Sequence, residues 1–144
     1  SPVHQERSVQ LWTETYRFDT TEVTTGLDKK PFHQRALIGA FVLMKKLQDQ
    51  GENERAIALG RQTITYFPDS KLPWDGLWTY IAKIMAKAGD PATAGQITLK
   101  VYDNCTQNRL TGYSEEEIAA IRNSACKLAD EWNLKKVIQR CQGN

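Results

Sequence analysis

Apolar residues recur along this chain with the three-and-four spacing of amphipathic helices, in short blocks punctuated by Gly, Pro, Asp and Asn. Residues 6–18 set Val9, Trp12 and Tyr16 on one face and predict a short helix. Residues 19–31, DTTEVTTGLDKKP, break that period and predict a Thr-rich extended connector closed by Pro31. From 32 to 50 the period returns through Leu37, Ala40, Phe41, Met44 and Leu47. Ile38, Val42 and Leu43 widen the stripe, so this helix is expected to be covered on more than one side. Gly51 suits a left-handed C-cap, with Lys45 and Lys46 near the exposed carbonyls of that end. A second helix over 53–66 carries Ala56, Ile57, Gly60 and Ile64 on one face and ends before Pro68, which cannot donate a helical hydrogen bond.

The pattern then repeats. After the spacer KLPW at 71–74, Asp75 is placed to cap a third helix bearing Leu77, Trp78, Ile81, Ala82, Met85 and Ala88, and Gly89 ends it. Asp90-Pro91 is an N-cap followed by proline at the first helical position, opening a fourth helix with Ala94, Ile97, Val101 and Cys105 in register. Residues 107–113 read as a loop. Ser114 and Glu117 have capping-box spacing ahead of Ile118, Ile121, Ala125 and Leu128. A last helix over 134–141 would dock through Leu134, Val137, Ile138 and Cys141, leaving Lys135, Lys136 and Arg140 toward solvent. The expected architecture is all-α, with six or seven helices in one domain, 1–144. Its parts are an N-terminal helix and connector (1–31), two helical hairpins (37–70 and 75–108) and a C-terminal helical pair (114–142).

Superposing Gly51 on Gly89 aligns Leu43 with Ile81, Leu47 with Met85, Ala56 with Ala94 and Thr63 with Val101. In the first unit the spacing of Leu43, Gly51, Ala56 and Pro68 resembles the tetratricopeptide repeat, a unit of about 34 residues built from two antiparallel helices. The resemblance covers about half the chain and implies a short α-solenoid of stacked hairpins. In it the small Ala56 and Ala94 let paired helices approach, the glycines turn the chain, and Pro68 closes its unit. Met44 departs from the small residue usual in the first helix, whereas Ala82 restores it; Gly60 and Thr98 stand where the second helix has an aromatic. The units also lie four residues further apart than the family period. A plain helical bundle with glycine turns satisfies part of the same pattern. The glycine-then-alanine spacing of Gly51 to Ala56 and Gly89 to Ala94 is similar to that of pentatricopeptide repeats, which implies single-stranded RNA as the second candidate partner.

Composition narrows the picture only a little. Forty per cent hydrophobic residues in 144 suffice for a buried core, and 19 Lys and Arg against 17 Asp and Glu give a formal charge of +2, which points to no polyanion. Cys105, Cys126 and Cys141 form an odd set without CxxC spacing, so buried free thiols and an intracellular, reducing compartment are expected. The sequon Asn104-Cys105-Thr106 carries no weight as a chance match. The apolar run from Ala40 to Met44 is far short of the roughly 20 residues that span a bilayer, so no membrane crossing is expected. A chain opening on Ser1 is expected to have lost a leader or to have been cut from a longer protein; in the second case Ile118, Ile121 and Val137 would be left exposed.

Candidate chemistry is sparse. His4 and His33 are the two histidines, each beside an expected helix start or loop and without a cysteine nearby, and no glycine-rich phosphate loop follows a strand. No catalytic residue, metal site or cofactor is expected, and the chain reads as a non-enzyme. The expected function is that of an adaptor or scaffold binding another protein or peptide; RNA binding, or a helical accessory domain of a larger enzyme or assembly, are the alternatives. On the repeat frame, the groove-facing residues would be Lys45, Tyr80, Lys83 and Lys87, a basic and aromatic set suited to an acidic or carboxylate-ended peptide.

Overall fold

The structure is a computed structural model that describes residues 26–66, 76–107, 110 and 112–143. Its described residues are all-helical. The elements are α1 (Gly26–Asp49), α2 (Asn53–Tyr66), α3 (Gly76–Ala88), α4 (Pro91–Thr106), α5 (Glu115–Trp132) and α6 (Lys135–Gly143). The helix expected over 6–18, the first part of the connector, Pro68, the KLPW spacer and Asp75 lie outside the described residues. Backbone contacts divide the chain into two compact units, Ser1–Leu72 and Pro73–Asn144.

In the N-terminal unit, α1 begins at Gly26, six residues earlier than the periodicity predicts, so the expected connector ends before Gly26 and not at Pro31. Pro31 is the sixth residue of α1, beyond the four N-terminal amides that lack helical partners, so α1 goes without one internal hydrogen bond there. α1 and α2 pack together through Leu37, Ala40, Leu43, Met44 and Leu47 on one side and Ala56, Leu59 and Thr63 on the other, all buried. Val42 is 54% exposed, so the stripe is narrower than the sequence implies. The buried Thr63 hydroxyl donates to the Leu59 carbonyl one turn back at 2.7 Å, which makes a polar side chain tolerable there.

In the C-terminal unit, α4 packs against α3, α5 and α6, while α3 and α5 also touch, as do α5 and α6. The centre holds Trp78, Ile81, Ala82 and Met85 of α3, Ala94, Ile97 and Val101 of α4, Ala125 and Ala129 of α5, and Val137 of α6, each fully buried. Val137 is therefore not exposed, and Ile118 and Ile121 are half-buried. The repeat register has a physical counterpart: Leu43 and Ile81, Leu47 and Met85, Ala56 and Ala94, and Thr63 and Val101 are buried as pairs.

Three helices end in the same way. Gly51 and Gly89 have φ of 79° and 113°, and Asn133, which is not among the turns expected from the sequence, has φ of 53°. One residue beyond each, the amides of Glu52, Asp90 and Leu134 donate to the carbonyls of Leu47, Met85 and Ala129 at 2.8, 2.9 and 2.9 Å. This is the six-to-one bond of a Schellman turn, which needs a left-handed residue and so favours Gly or Asn. Helix starts are equally explicit. The Thr93 amide donates to Asp90 Oδ1 at 3.2 Å with Pro91 at the first helical position. Ser114 and Glu117 exchange reciprocal capping bonds of 3.1 and 3.0 Å. The Ser114 backbone amide, and after it the Ser114 hydroxyl, lower the pKa of the Glu117 carboxyl from its usual value. Asp90→Ala is expected to cost about 1 kcal/mol in urea denaturation, and Asp90→Asn less, because the amide oxygen still accepts. Equal midpoints for Asp90→Ala and the wild type would show that the cap contributes nothing.

The cysteines depart from the expectation of free thiols. Cys126 and Cys141 form a disulfide that joins α5 to α6, with Cα atoms 6.1 Å apart. Cys105 alone is a buried free thiol, its pKa pushed up by burial against the opposing charge of Arg122. Docking of α6 through Leu134 and Val137 is what brings two cysteines 15 residues apart into bonding range. Arg140 is exposed, as the sequence places it, and it also pairs with Asp103 at 2.6 Å, while its carbonyl accepts from the Tyr102 hydroxyl at 3.2 Å. Asn104 of the sequon is buried within α4.

Candidate functional site

A groove of about 370 Å³ lies between α3 and α5, the first helices of the two hairpins of the C-terminal unit, both of which pack on α4. Thr79, Tyr80 and Lys83 supply one wall. Ala120, Ile121, Ser124, Lys127, Leu128 and Glu131 supply the other. The α5 set recurs every three or four residues, so it forms one continuous stripe along the helix. The Schellman turn at Gly89 and the Asp90 cap fix where α3 ends and α4 starts, and the Ser114 capping box fixes the start of α5.

The lining of the groove is mixed: Tyr80, Ala120, Ile121 and Leu128 are aromatic or aliphatic, and Thr79, Lys83, Ser124, Lys127 and Glu131 are polar or charged. Tyr80 is 62% exposed, and on the other wall Ile121 is half-buried while Leu128 is buried and reaches the groove with only 5% of its surface exposed. Lys83 and Lys127 stand on opposite walls, and neither is ion-paired among the described residues; Glu131 adds one carboxylate. The Thr79 hydroxyl oxygen is shielded from water and has no hydrogen-bond partner among the described residues, a cost of about 1–3 kcal/mol borne at the groove wall. Among the described residues no three His, Cys, Asp or Glu side chains converge as metal ligands, and no described helix is long and apolar enough to cross a membrane.

Of the four residues expected to face a groove, the structure brings Tyr80 and Lys83 together here. Lys87 is exposed on the next turn of α3 but does not line the groove. Lys45 lies on α1 in the N-terminal unit, 4.0 Å from Asp49 in a surface pair of little energetic weight. The α5 wall is not marked in the sequence, whose pattern assigns that helix to a terminal pair with Ile118, Ile121, Ala125 and Leu128 as its apolar set; of these Leu128 is buried and Ile121 half-buried. His4 is outside the described residues, and of the His33 side chain nothing is described. Compared with known proteins, the chain matches no protein-family model, no curated protein and no solved structure.

Proposed function

We propose that this chain is a non-catalytic interaction module, a short tetratricopeptide-like series of helical hairpins that binds a segment of a partner protein between the first helices of successive hairpins. The observation that carries the reading is the groove between α3 and α5, lined by a solvent-exposed Tyr80 on α3 and by Ala120 and the half-buried Ile121 on α5. An exposed aromatic next to apolar surface in a concave site is the arrangement from which peptide-binding hot spots are made, since a rigid ring gains contact area at low entropic cost. The repeated Schellman turns and the paired burial across the register support the hairpin-repeat part of the reading. The third hairpin, α5 and α6, makes the same turn at Asn133.

The test is selection from an unbiased display library of 12-residue peptides with the wild-type protein and with Tyr80→Ala as baits. The wild type is expected to enrich a consensus whose synthetic peptide binds Tyr80→Ala at least tenfold more weakly, while circular dichroism of the variant is unchanged because the ring is exposed. Failure of the wild type to enrich any consensus, or equal binding by the variant, would defeat the proposal.

A further inference from the structure

The turns supply a common ruler for the hairpins. Counted back from the left-handed residues Gly51, Gly89 and Asn133, the sixth position is a lysine each time: Lys45, Lys83 and Lys127. The ninth position is Val42, Tyr80 and Ser124, and all three are exposed. Val42 and Tyr80 are also the large hydrophobic side chains most exposed among the described residues, at 54% and 62%. Positions three apart share a face of a helix, so each first helix presents this residue and its lysine together. Core packing does not account for the recurrence, because neither position is buried. In the C-terminal unit, two copies of the pair meet: Tyr80 with Lys83 on α3 and Ser124 with Lys127 on α5 line one groove.

From this register we infer that the groove takes an acidic peptide segment of a partner protein. An apolar side chain of that segment sits on Ala120, Ile121 and Leu128 beneath Tyr80, and carboxylates to either side of it meet Lys83 and Lys127. The inference rests on the protein-binding reading above and adds the chemistry of the partner. Two ammonium groups on opposite walls, without ion pairs among the described residues, offer charge-assisted hydrogen bonds to carboxylates. Their exposure means that they act chiefly on partner choice and encounter rate, and the apolar floor holds the anchor.

A single-stranded nucleic acid fits less well. Its phosphates would run against Glu131, and base stacking calls for repeated aromatics, whereas Tyr80 is the one aromatic among the three ninth-position residues. The formal charge of +2 adds no general attraction for a polyanion.

The experiment uses the same 12-residue library with two baits, the wild type and the double variant Lys83→Glu/Lys127→Glu, whose substituted side chains are exposed. The wild type is expected to enrich an apolar or aromatic residue flanked by Asp or Glu. The double variant is expected to bind that consensus peptide at least tenfold more weakly and to enrich Lys or Arg instead. A neutral or basic wild-type consensus, or an acidic one bound equally by both baits, overturns the acidic partner while leaving a peptide-binding groove in place. No enrichment by the wild type overturns both readings. If the wild type instead shifts the anisotropy of a labelled mixed-sequence single-stranded RNA at near-physiological salt and the double variant does not, the lysines serve phosphate and the peptide is ruled out.

Discussion

Trp78→Ala is expected to lower unfolding free energy by about 3–5 kcal/mol, enough to unfold much of the C-terminal unit at ambient temperature. Trp78 is fully buried and sits in the first turn of α3, the largest side chain in the core of that unit. Its removal takes the greatest single apolar volume from the packing, and α4, already flanked by α3, α5 and α6, has little room to collapse into the void. The loss follows in chemical denaturation monitored by far-ultraviolet circular dichroism. Tryptophan emission is a poor probe because the chain has four tryptophans and the variant removes one. Trp78→Phe should recover more than half of the lost stability. A loss below about 1 kcal/mol for Trp78→Ala would mean that the side chain is not enclosed as described.

Breaking the Cys126–Cys141 bond is the second large perturbation. A cross-link closing a loop of about 15 residues stabilises by about 3 kcal/mol through the unfolded chain, so Cys126→Ser/Cys141→Ser, or reduction by a dithiol, should lower the melting temperature by several degrees. The effect should concentrate in α6. Nine residues are too few for a helix to persist alone, and without the disulfide α6 is held by Leu134, Val137, the Tyr102 hydroxyl and the Arg140–Asp103 pair. Amide hydrogen exchange of α6 should therefore accelerate far more than that of α3 or α4. Identical melting and exchange with and without reductant would refute the cross-link.

Most helices of this chain are legible in its sequence because their signals are local. Asp90-Pro91, the spacing of Ser114 and Glu117, and the glycines at 51 and 89 each act on the nearest turn of backbone, and the predicted helix over 53–66 coincides with α2. Where local rules mislead, the cause is identifiable. Pro31 reads as a boundary, yet α1 accommodates it near its start. Asn133 performs the turn that glycine performs elsewhere, and its polar side chain carries no unique mark in a sequence. Half of the candidate groove is visible in the same way, since Tyr80 and Lys83 are surface positions on a helix whose apolar face is plain. The other half, on α5, becomes a wall through packing against α3 and α4, at more than 30 residues' remove along the chain.

That the chain is helical, where most helices begin and end, and which residues turn inward are all written in the order of its residues, since a three-and-four period and a cap depend on neighbours within one or two turns. The partnership of Cys126 with Cys141, the pairing of Arg140 with Asp103, the opposition of Lys83 to Lys127, and the exposure of Val42 arise only in the packed molecule. Each depends on which helix faces lean together. Side chains distant in sequence meet through the shape of whole helices, and no local pattern records that shape.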